Sequence, residues 1–321
     1  MKIGIVGCGV IAATYIQALN RLDGLFRITA LYDVNPDKAK ALCFPEAKRC
    51  DSLAELIDTD VDCVVVSTPL HTHTRIAEAC LRGGKHVLME KPAALSVAEI
   101  SRLFALAEEM GVIFHVAFHS SFALDINWYL EHFGAADCVY GAENIRHIQC
   151  GFYDPYMTKG VVAEDRKSLG GSYIDSGVNI LSVCSRLVPM DAMQLQSHTI
   201  CRTADGVVYA SETVFSDARV QLLMCTGWDK GLNQKRTCLR FAGTDTALLL
   251  DHSGQAVWSI TPDGQRQLLY KEDDTERLVN HYTQVFKVFD KALKTRYGQT
   301  HRNQVMNVHR LLFSAEGREC V

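Results

Sequence analysis

The stretch that most constrains this chain is its start. Lys2-Ile3-Gly4-Ile5-Val6 is an apolar run of strand length, and Gly7-Cys8-Gly9-Val10-Ile11-Ala12 follows it as G-x-G-x-x-A. Gly7 lets the chain turn sharply, Gly9 lets a backbone approach a pyrophosphate, and Ala12 is small enough for a new helix to pack on the strand. The amides of Val10 and Ile11, at the positive end of a helix expected over 11–21, are placed to hold phosphates. A second apolar run, Phe26 to Tyr32, ends in Asp33, about twenty residues beyond the glycines, where a carboxylate can take ribose hydroxyls. The alternative is a strand, turn and helix that merely favours glycine; the acidic residue at that spacing favours a dinucleotide site.

From Lys2 to about Phe118 apolar runs alternate with helical periodicity: strand 2–7, helix 11–21, strand 26–32, helices 36–43 and 52–58, strand 62–67. That rhythm predicts a doubly wound parallel sheet with helices on both faces, a Rossmann domain, whose ligands bind at the carboxyl edge. Ser67-Thr68-Pro69, with His73 opening the next helix, falls at that edge, as do Glu90-Lys91-Pro92 and Phe118-His119-Ser120. After Ser121 the pattern changes. A helix near 122–132, a strand at 137–149, a loop from Gly151 to Ser168 and a helix from Gly171 to Leu187 precede seven short strands between 190 and 270, with turn pairs such as Ser253-Gly254 and Asp263-Gly264. Helices at 276–295 and 301–316 close the chain. The expected fold is therefore α/β followed by α+β: residues 1–120 as the dinucleotide-binding domain, and 121–321 as a substrate and oligomerisation domain on a large, mostly antiparallel open sheet.

At 321 residues the chain suits two domains. A net charge of -4 without a basic run offers no footprint for nucleic acid or an anionic membrane. No stretch approaches the length of a membrane span. The 12 cysteines are scattered and form no C-x-x-C pair, which reads as reduced, buried thiols of a cytoplasmic protein. His71 and His73 have no convincing third ligand nearby, so no metal site is expected.

Glu90-Lys91-Pro92 after a strand of a dinucleotide fold, with Gly170-Gly171-Ser172-Tyr173-Ile174-Asp175-Ser176-Gly177-Val178-Asn179 far downstream, resembles the glucose-fructose oxidoreductase, inositol dehydrogenase and MocA family. The resemblance spans essentially the whole chain, through the G-x-G-x-x-A, Thr68-Pro69-x-x-x-His73, the E-K-P and the helix motif. It implies an NAD(P)-dependent oxidoreductase of sugars or polyols that forms a homodimer or homotetramer through its C-terminal sheet. It also implies cofactor contacts at Gly7, Gly9, Val10, Ile11, Asp33, Ser67, Thr68, Pro69, His73, Glu90 and Lys91, and catalytic roles for Lys91 and Asp175. The family's helix histidine is replaced by Asn179, which cannot act as a general base. Asp175 with Asn179 and the His119-Ser120 pair are similar to the aldose 1-dehydrogenase branch, as is Trp228 after its strand.

The spacing carries chemistry by itself. Asp175 and Asn179 are one helical turn apart and share a face, so a carboxylate and a carboxamide can converge on one hydroxyl. A lysine cation beside a developing alkoxide favours the proton loss that alcohol oxidation requires. Substrate contacts are expected from Lys91, His119, Tyr153, Asp175, Asn179 and Trp228. Each has a bland alternative: a solvated loop lysine, a polar helix stripe, a strand-end histidine, a core tryptophan. The expected activity is oxidation of an aldose to its lactone with NAD rather than NADP. The alternatives are a polyol or other ring-hydroxyl dehydrogenase, an imine or biliverdin-type reductase, and a nucleotide-binding regulator without chemistry.

Overall fold

Strand-length apolar runs separated by capped helices dominate the first part of the chain, and the elements form where that pattern puts them. The computed structural model describes residues 1–22, 24–42, 44–134, 138–295 and 299–315. In order come β1 (Lys2–Val6), α1 (Val10–Asn20), β2 (Arg27–Tyr32), α2 (Pro36–Ala41), β3 (Lys48–Arg49), α3 (Leu53–Ile57), β4 (Cys63–Val66), α4 (His73–Arg82), β5 (His86–Glu90), α5 (Val97–Glu109) and β6 (Phe114–Ala117). Asn35, Ser52 and Ser96 cap the helices that follow them by accepting from backbone amides. The strands lie in the order β3-β2-β1-β4-β5-β6, all parallel. The order reverses between β1 and β4, so the loops after those strands flank the crevice where a doubly wound sheet takes its ligand. β4 is buried throughout, as a strand covered on both faces must be.

There follow α6 (Leu124–Phe133), β7 (Ile145–Tyr153), the short hairpin β8 (Met157–Thr158) and β9 (Val161–Val162), and α7 (Gly171–Leu187). Then come β10 (Gln194–Arg202), β11 (Val208–Ser216), β12 (Gln221–Gly227), β13 (Gln234–Phe241), β14 (Ala247–Asp251), β15 (Ala256–Ile260), β16 (Arg266–Lys271), α8 (Arg277–Thr295) and α9 (Gln299–Ser314). The larger sheet runs β10-β11-β12-β7-β13-β14-β15-β16 and is antiparallel except where β12 meets β7. α7 packs on β7, β11 and β12, and α6 on β14, β15 and β16. Beneath them a buried polar thread joins Asp125 to His252 (2.6 Å), His252 to Thr237 (2.8 Å) and Thr237 to Cys150 (3.3 Å). Buried polar groups linked in this way avoid the desolvation cost of standing alone.

Two compact units result among the described residues: Met1–His119 with Leu278–Met306, and Ser120–Arg277 with 307–315. The main segment of the first unit ends at His119, and Leu278–Met306, which the sequence pattern assigns to a domain of 121–321, clusters with it. Most of α8 belongs to the first unit because its apolar face packs there: Phe286 lies 5.5 Å from both the Tyr15 and Phe26 rings, and Phe289 stacks on Phe26 at 6.2 Å. The strand expected over 137–149 begins only at Ile145, after a turn at Ala142–Asn144, while its first residue lies outside the described residues. The expected loop over 151–168 holds the end of β7 and the β8-β9 hairpin. Among the described residues no helix is long and apolar enough to cross a membrane, and the cysteines are free thiols.

The open edge of the six-stranded sheet is closed by a histidine. Nε2 of His301 accepts the Val116 amide of β6 at 3.0 Å, and its ring stacks on His115 at 3.7 Å. Burial pushes His301 down to about 4 and holds His115 well below the usual histidine range, where the neighbouring His301 also disfavours its charge. An unfolded histidine titrates near ~6.5. The folded state thus binds fewer protons than the unfolded state between that value and about 4, and stability is lost as pH falls through this window. The urea midpoint is expected to drop from pH 7 to pH 4, and His301→Gln, which keeps an acceptor but does not titrate, should flatten the dependence. An unchanged slope would exclude His301 as its source.

Candidate functional site

In the first unit the turn after β1 is fixed from three sides. The Gly7 amide donates to the Tyr32 carbonyl at 2.9 Å, and Ser67 Oγ donates to the Gly7 carbonyl at 2.8 Å. Gly7 has φ +91°, and a Cβ there would lie 2.6 Å from the Ser67 carbonyl oxygen, so only glycine fits. Gly9, at the start of α1, is the reverse: nothing lies within 4 Å of where its Cβ would stand. That bare backbone at a helix N-terminus is a cradle a phosphate can enter. Asp33 is drawn to the same turn, with Oδ2 accepting from the Cys8 amide at 2.7 Å and Oδ1 from the Asn35 amide at 2.8 Å. Val10 and Val34 flank it as exposed apolar side chains. Bare glycine, a fixed carboxylate and two apolar flanks together fit a dinucleotide. Cys8 contributes no thiolate, since burial and then the Asp33 charge push its thiol up to about 12.

Several expected cofactor contacts prove to be braces of this edge. Ser67 spends its hydroxyl on Gly7, and Thr68 Oγ1 accepts from Thr72 at 2.7 Å. His73 is buried, with Nδ1 2.8 Å from the Pro92 carbonyl and Nε2 2.8 Å from the Thr68 carbonyl. Burial holds its pKa below the usual value, against the pull of those carbonyls. Its ring therefore joins the loop after β4 to the loop after β5, and the expectation of a direct cofactor contact is corrected. The same applies to Glu90, whose carboxylate faces the Tyr15 and Tyr282 hydroxyls rather than the edge. Lys91 follows it, before a cis bond to Pro92. His119 is buried, with its ring 5.1 Å from Tyr282.

In the second unit α7 begins at two glycines, both with positive φ, and Gly171 leaves no room for a side chain beneath the Val208 carbonyl. Every residue of the helix is buried except Asp175, Ser185 and Arg186. Asp175 thus stands out as the accessible carboxylate near the start of a core helix. One turn on, Asn179 Nδ2 donates to the Asp175 carbonyl at 3.2 Å, and its Oδ1 is a buried acceptor without a hydrogen-bond partner among the described residues. Beside them Asp154 is buried against Lys235 at 2.5 Å, and Ser176 donates to its other oxygen at 3.4 Å. Burial lowers Lys235, while Asp154 and Asp175 act to keep it charged. Tyr156 is pushed up to about 12, first by burial and then by Asp154 and Asp175, and the Arg166 guanidinium lies 4.7 Å over its ring.

Two expected substrate contacts need correction. Trp228 is 0% exposed, with its ring edge against Tyr156 at 5.5 Å, so no face is left for a sugar. Tyr153 is half-buried but points the wrong way: alternation along β7 turns Cys150 and Phe152 toward α7 and puts Tyr153 on the opposite face, over Gly151 and Gly227. Asp154, next in sequence, is the residue that reaches Ser176 of α7. Lys235, Tyr156 and Arg166 were not singled out from the sequence. Lys235 carried a signal, because it shares the inward parity of Thr237, Leu239 and Phe241 on β13, where a charge is out of place.

Residues 1–118 match the model of an oxidoreductase family with an NAD-binding Rossmann fold, GFO_IDH_MocA. Among curated relatives, inositol 2-dehydrogenase 1 of Saccharopolyspora erythraea is 33% identical over 109 residues, 33% of this chain and 32% of that protein. The dTDP-3,4-didehydro-2,6-dideoxy-alpha-D-glucose 3-reductase of Streptomyces violaceoruber is 29% identical over 198 residues, 59% of this chain and 54% of that one. The chain thus spans about a third to a half of the length of these relatives. A 3-ketoreductase from Actinomadura kijaniata, solved with TDP-benzene and NADP, superposes with a TM-score of 0.81 at 20% identity, over 98% of this chain and 96% of that one. At that identity the likeness shows the fold.

The two glycines of the turn separate stability from binding. Gly7→Ala is expected to destabilise the protein by about 2–4 kcal/mol, from strained backbone and the clash with Ser67. Gly9→Leu should leave the unfolding midpoint within about 0.5 kcal/mol of the parent, yet fill the cradle and weaken NAD binding by calorimetry at least roughly tenfold. Equal NAD affinity in parent and Gly9→Leu would remove Gly9 from the site.

Proposed function

We propose that this chain, whose residues 1–118 match the model of the glucose-fructose oxidoreductase, inositol dehydrogenase and MocA oxidoreductases, is a nicotinamide-dependent dehydrogenase of a sugar-like hydroxyl. The preferred substrate class is an aldose oxidised at its anomeric carbon to the lactone. The observation that carries this reading is the pair on α7: an accessible carboxylate, Asp175, and one turn on the buried, unsatisfied acceptor of Asn179. A buried acceptor without a donor is costly, and a substrate hydroxyl supplies one. A polyol ring hydroxyl is the second reading, favoured by relatives named inositol 2-dehydrogenases.

When bound, a nicotinamide dinucleotide supplies the two-electron acceptor. The chain's residues do the rest. The Gly9 backbone and the amides opening α1 take the pyrophosphate, and Asp33, held by the Cys8 and Asn35 amides, accepts from ribose hydroxyls. Asp175 accepts the proton of the reacting hydroxyl, Lys91 stabilises the oxygen as its charge grows, and Asn179 Oδ1 fixes a hydroxyl of the substrate. The Asp154–Lys235 ion pair braces the surroundings of Asp175 through Ser176. His119 is kept as a substrate contact. The larger sheet's face away from α6 and α7 is the proposed surface between copies, as a dimer or tetramer, and the free thiols suit the cytoplasm.

Asp175→Asn should retain dinucleotide binding but lower kcat by roughly 10² to 10⁴, the usual worth of a positioned base. Lys91→Ala should fall steeply as well, and Asn179→Ala less, since it removes orientation rather than proton transfer. Near-parental kcat in Asp175→Asn with abolished activity in Lys91→Ala would transfer the role of base to Lys91. The Asp33 carboxylate repels a 2′-phosphate, so kcat/KM should favour NAD over NADP by about tenfold or more, and Asp33→Ser should narrow the gap. Equal values in the parent protein would show that Asp33 does not read the ribose.

A further inference from the structure

The end of β5 holds a buried carboxylate that the proposed chemistry does not use. Glu90 is 7% exposed, and two phenols from distant parts of the chain donate to the same oxygen: Tyr15 of α1 and Tyr282 of α8, each 2.6 Å from Oε1. The Lys91 amide donates to Oε2 at 3.1 Å. All three partners are donors. A carboxylate can accept every one of these bonds, whereas a neutral carboxyl would set its own proton against one of them. Two O–H contacts at 2.6 Å are the short bonds of a charged acceptor.

Burial holds the Glu90 carboxyl above its ordinary range, and the two phenols, the Lys91 ammonium and the Lys91 amide offset part of that rise. The Tyr15 phenol keeps its proton, because burial and the Glu90 charge hold it well above the usual tyrosine range. The other titratable groups around the cluster are His119, whose ring lies 5.1 Å from Tyr282, and His281, 5.8 Å from His119; Phe286 closes the Tyr15 side.

We infer that Tyr15 and Tyr282 are positioning residues that hold Glu90 as a buried carboxylate, and that this charge keeps the neighbouring Lys91 side chain an ammonium. This rests on the reading of Lys91 as the cation beside the reacting oxygen, and it removes Lys91 as the proton acceptor. Coupling between two ionisable groups is reciprocal: the ammonium that favours ionised Glu90 is favoured by it equally. Between charges on consecutive residues at an effective dielectric near ~20, the effect is on the order of one pKa unit or more. Tyr15 also lies midway along the helix that opens after the Gly7 turn, so one carboxylate ties the middle of α1, the end of β5 and α8 together.

The full-length protein without substrate provides the test. Lysines are reductively methylated with ¹³C-formaldehyde, and the Lys91 resonance, assigned by its loss in Lys91→Arg, is titrated by NMR. Glu90→Gln is expected to lower the Lys91 midpoint by about one unit, which at fixed pH makes its amine roughly tenfold more reactive toward an acylating reagent. A folded Glu90→Gln protein with an unchanged or raised Lys91 midpoint overturns the proposal. The unaltered protein labelled with ¹³Cδ-glutamate gives a second reading that needs no folded Glu90 variant. The Glu90 carbon, identified by its displacement in Tyr282→Phe, must carry the shift of a carboxylate at neutral pH, and a protonated carboxyl there overturns the proposal. Neither measurement requires a substrate, so both stand or fall apart from the dehydrogenase reading, which NADH formation tests.

Discussion

The first unit depends on one position that tolerates no side chain. At Gly7 the chain leaves β1 in a conformation that L-residues avoid, pressed against the Ser67 carbonyl, with its own amide spent on Tyr32. This draws the ends of β1, β2 and β4 to one point. Because they converge, the Asp33 carboxylate can meet the Cys8 amide, and the first turn of α1 faces outward with the bare Gly9 backbone before it. An anion site at a helix N-terminus needs such exposed amides and little else. The three-sided clasp supplies them without spending a charged side chain.

The second unit solves a different problem, that of presenting a carboxylate from a helix that is otherwise core. α7 is held by its two initial glycines, by packing on β7, β11 and β12, and by a polar seam in which Ser172, Ser211 and Thr226 satisfy one another. Asp175 therefore projects from a rigid element, which suits the proton acceptor proposed for it. The buried Asp154–Lys235 pair alongside it is costly to desolvate and contributes little net stability. Its value lies in fixing the charges around Asp175.

What the sequence made legible was local. The strand, turn and helix at the start, the acidic residue ending β2, the E-K-P after β5 and the bounds of α7 all follow from short-range patterns, and each forms where expected. What it hid was long-range. Tyr15 and Tyr282 are separated from Glu90 by 75 and 192 residues, so nothing local announces that the acid of the E-K-P is a buried node rather than a cofactor ligand. The return of α8 to the first unit rests on Phe286 and Phe289, whose helical periodicity reports an apolar face but not what it covers. Tyr153 failed through parity, since a strand that runs on to Tyr153, past its expected end at 149, turned the tyrosine away and left Asp154 as the inward group. Trp228 failed through burial, which an aromatic after a strand does not disclose.

The central claim is that this chain oxidises a sugar-like hydroxyl with a nicotinamide dinucleotide. The most direct measurement incubates the purified protein with NAD and a panel of aldoses and polyols deuterated at the carbon bearing the reacting hydroxyl. It follows NADH absorbance and reads the mass of the reduced cofactor. NADH that carries deuterium from the anomeric carbon of an aldose is the predicted result, and label from a ring carbon of a polyol would assign the second substrate class. No reduced cofactor from any aldose or polyol, with NAD bound and the protein folded, would contradict the account.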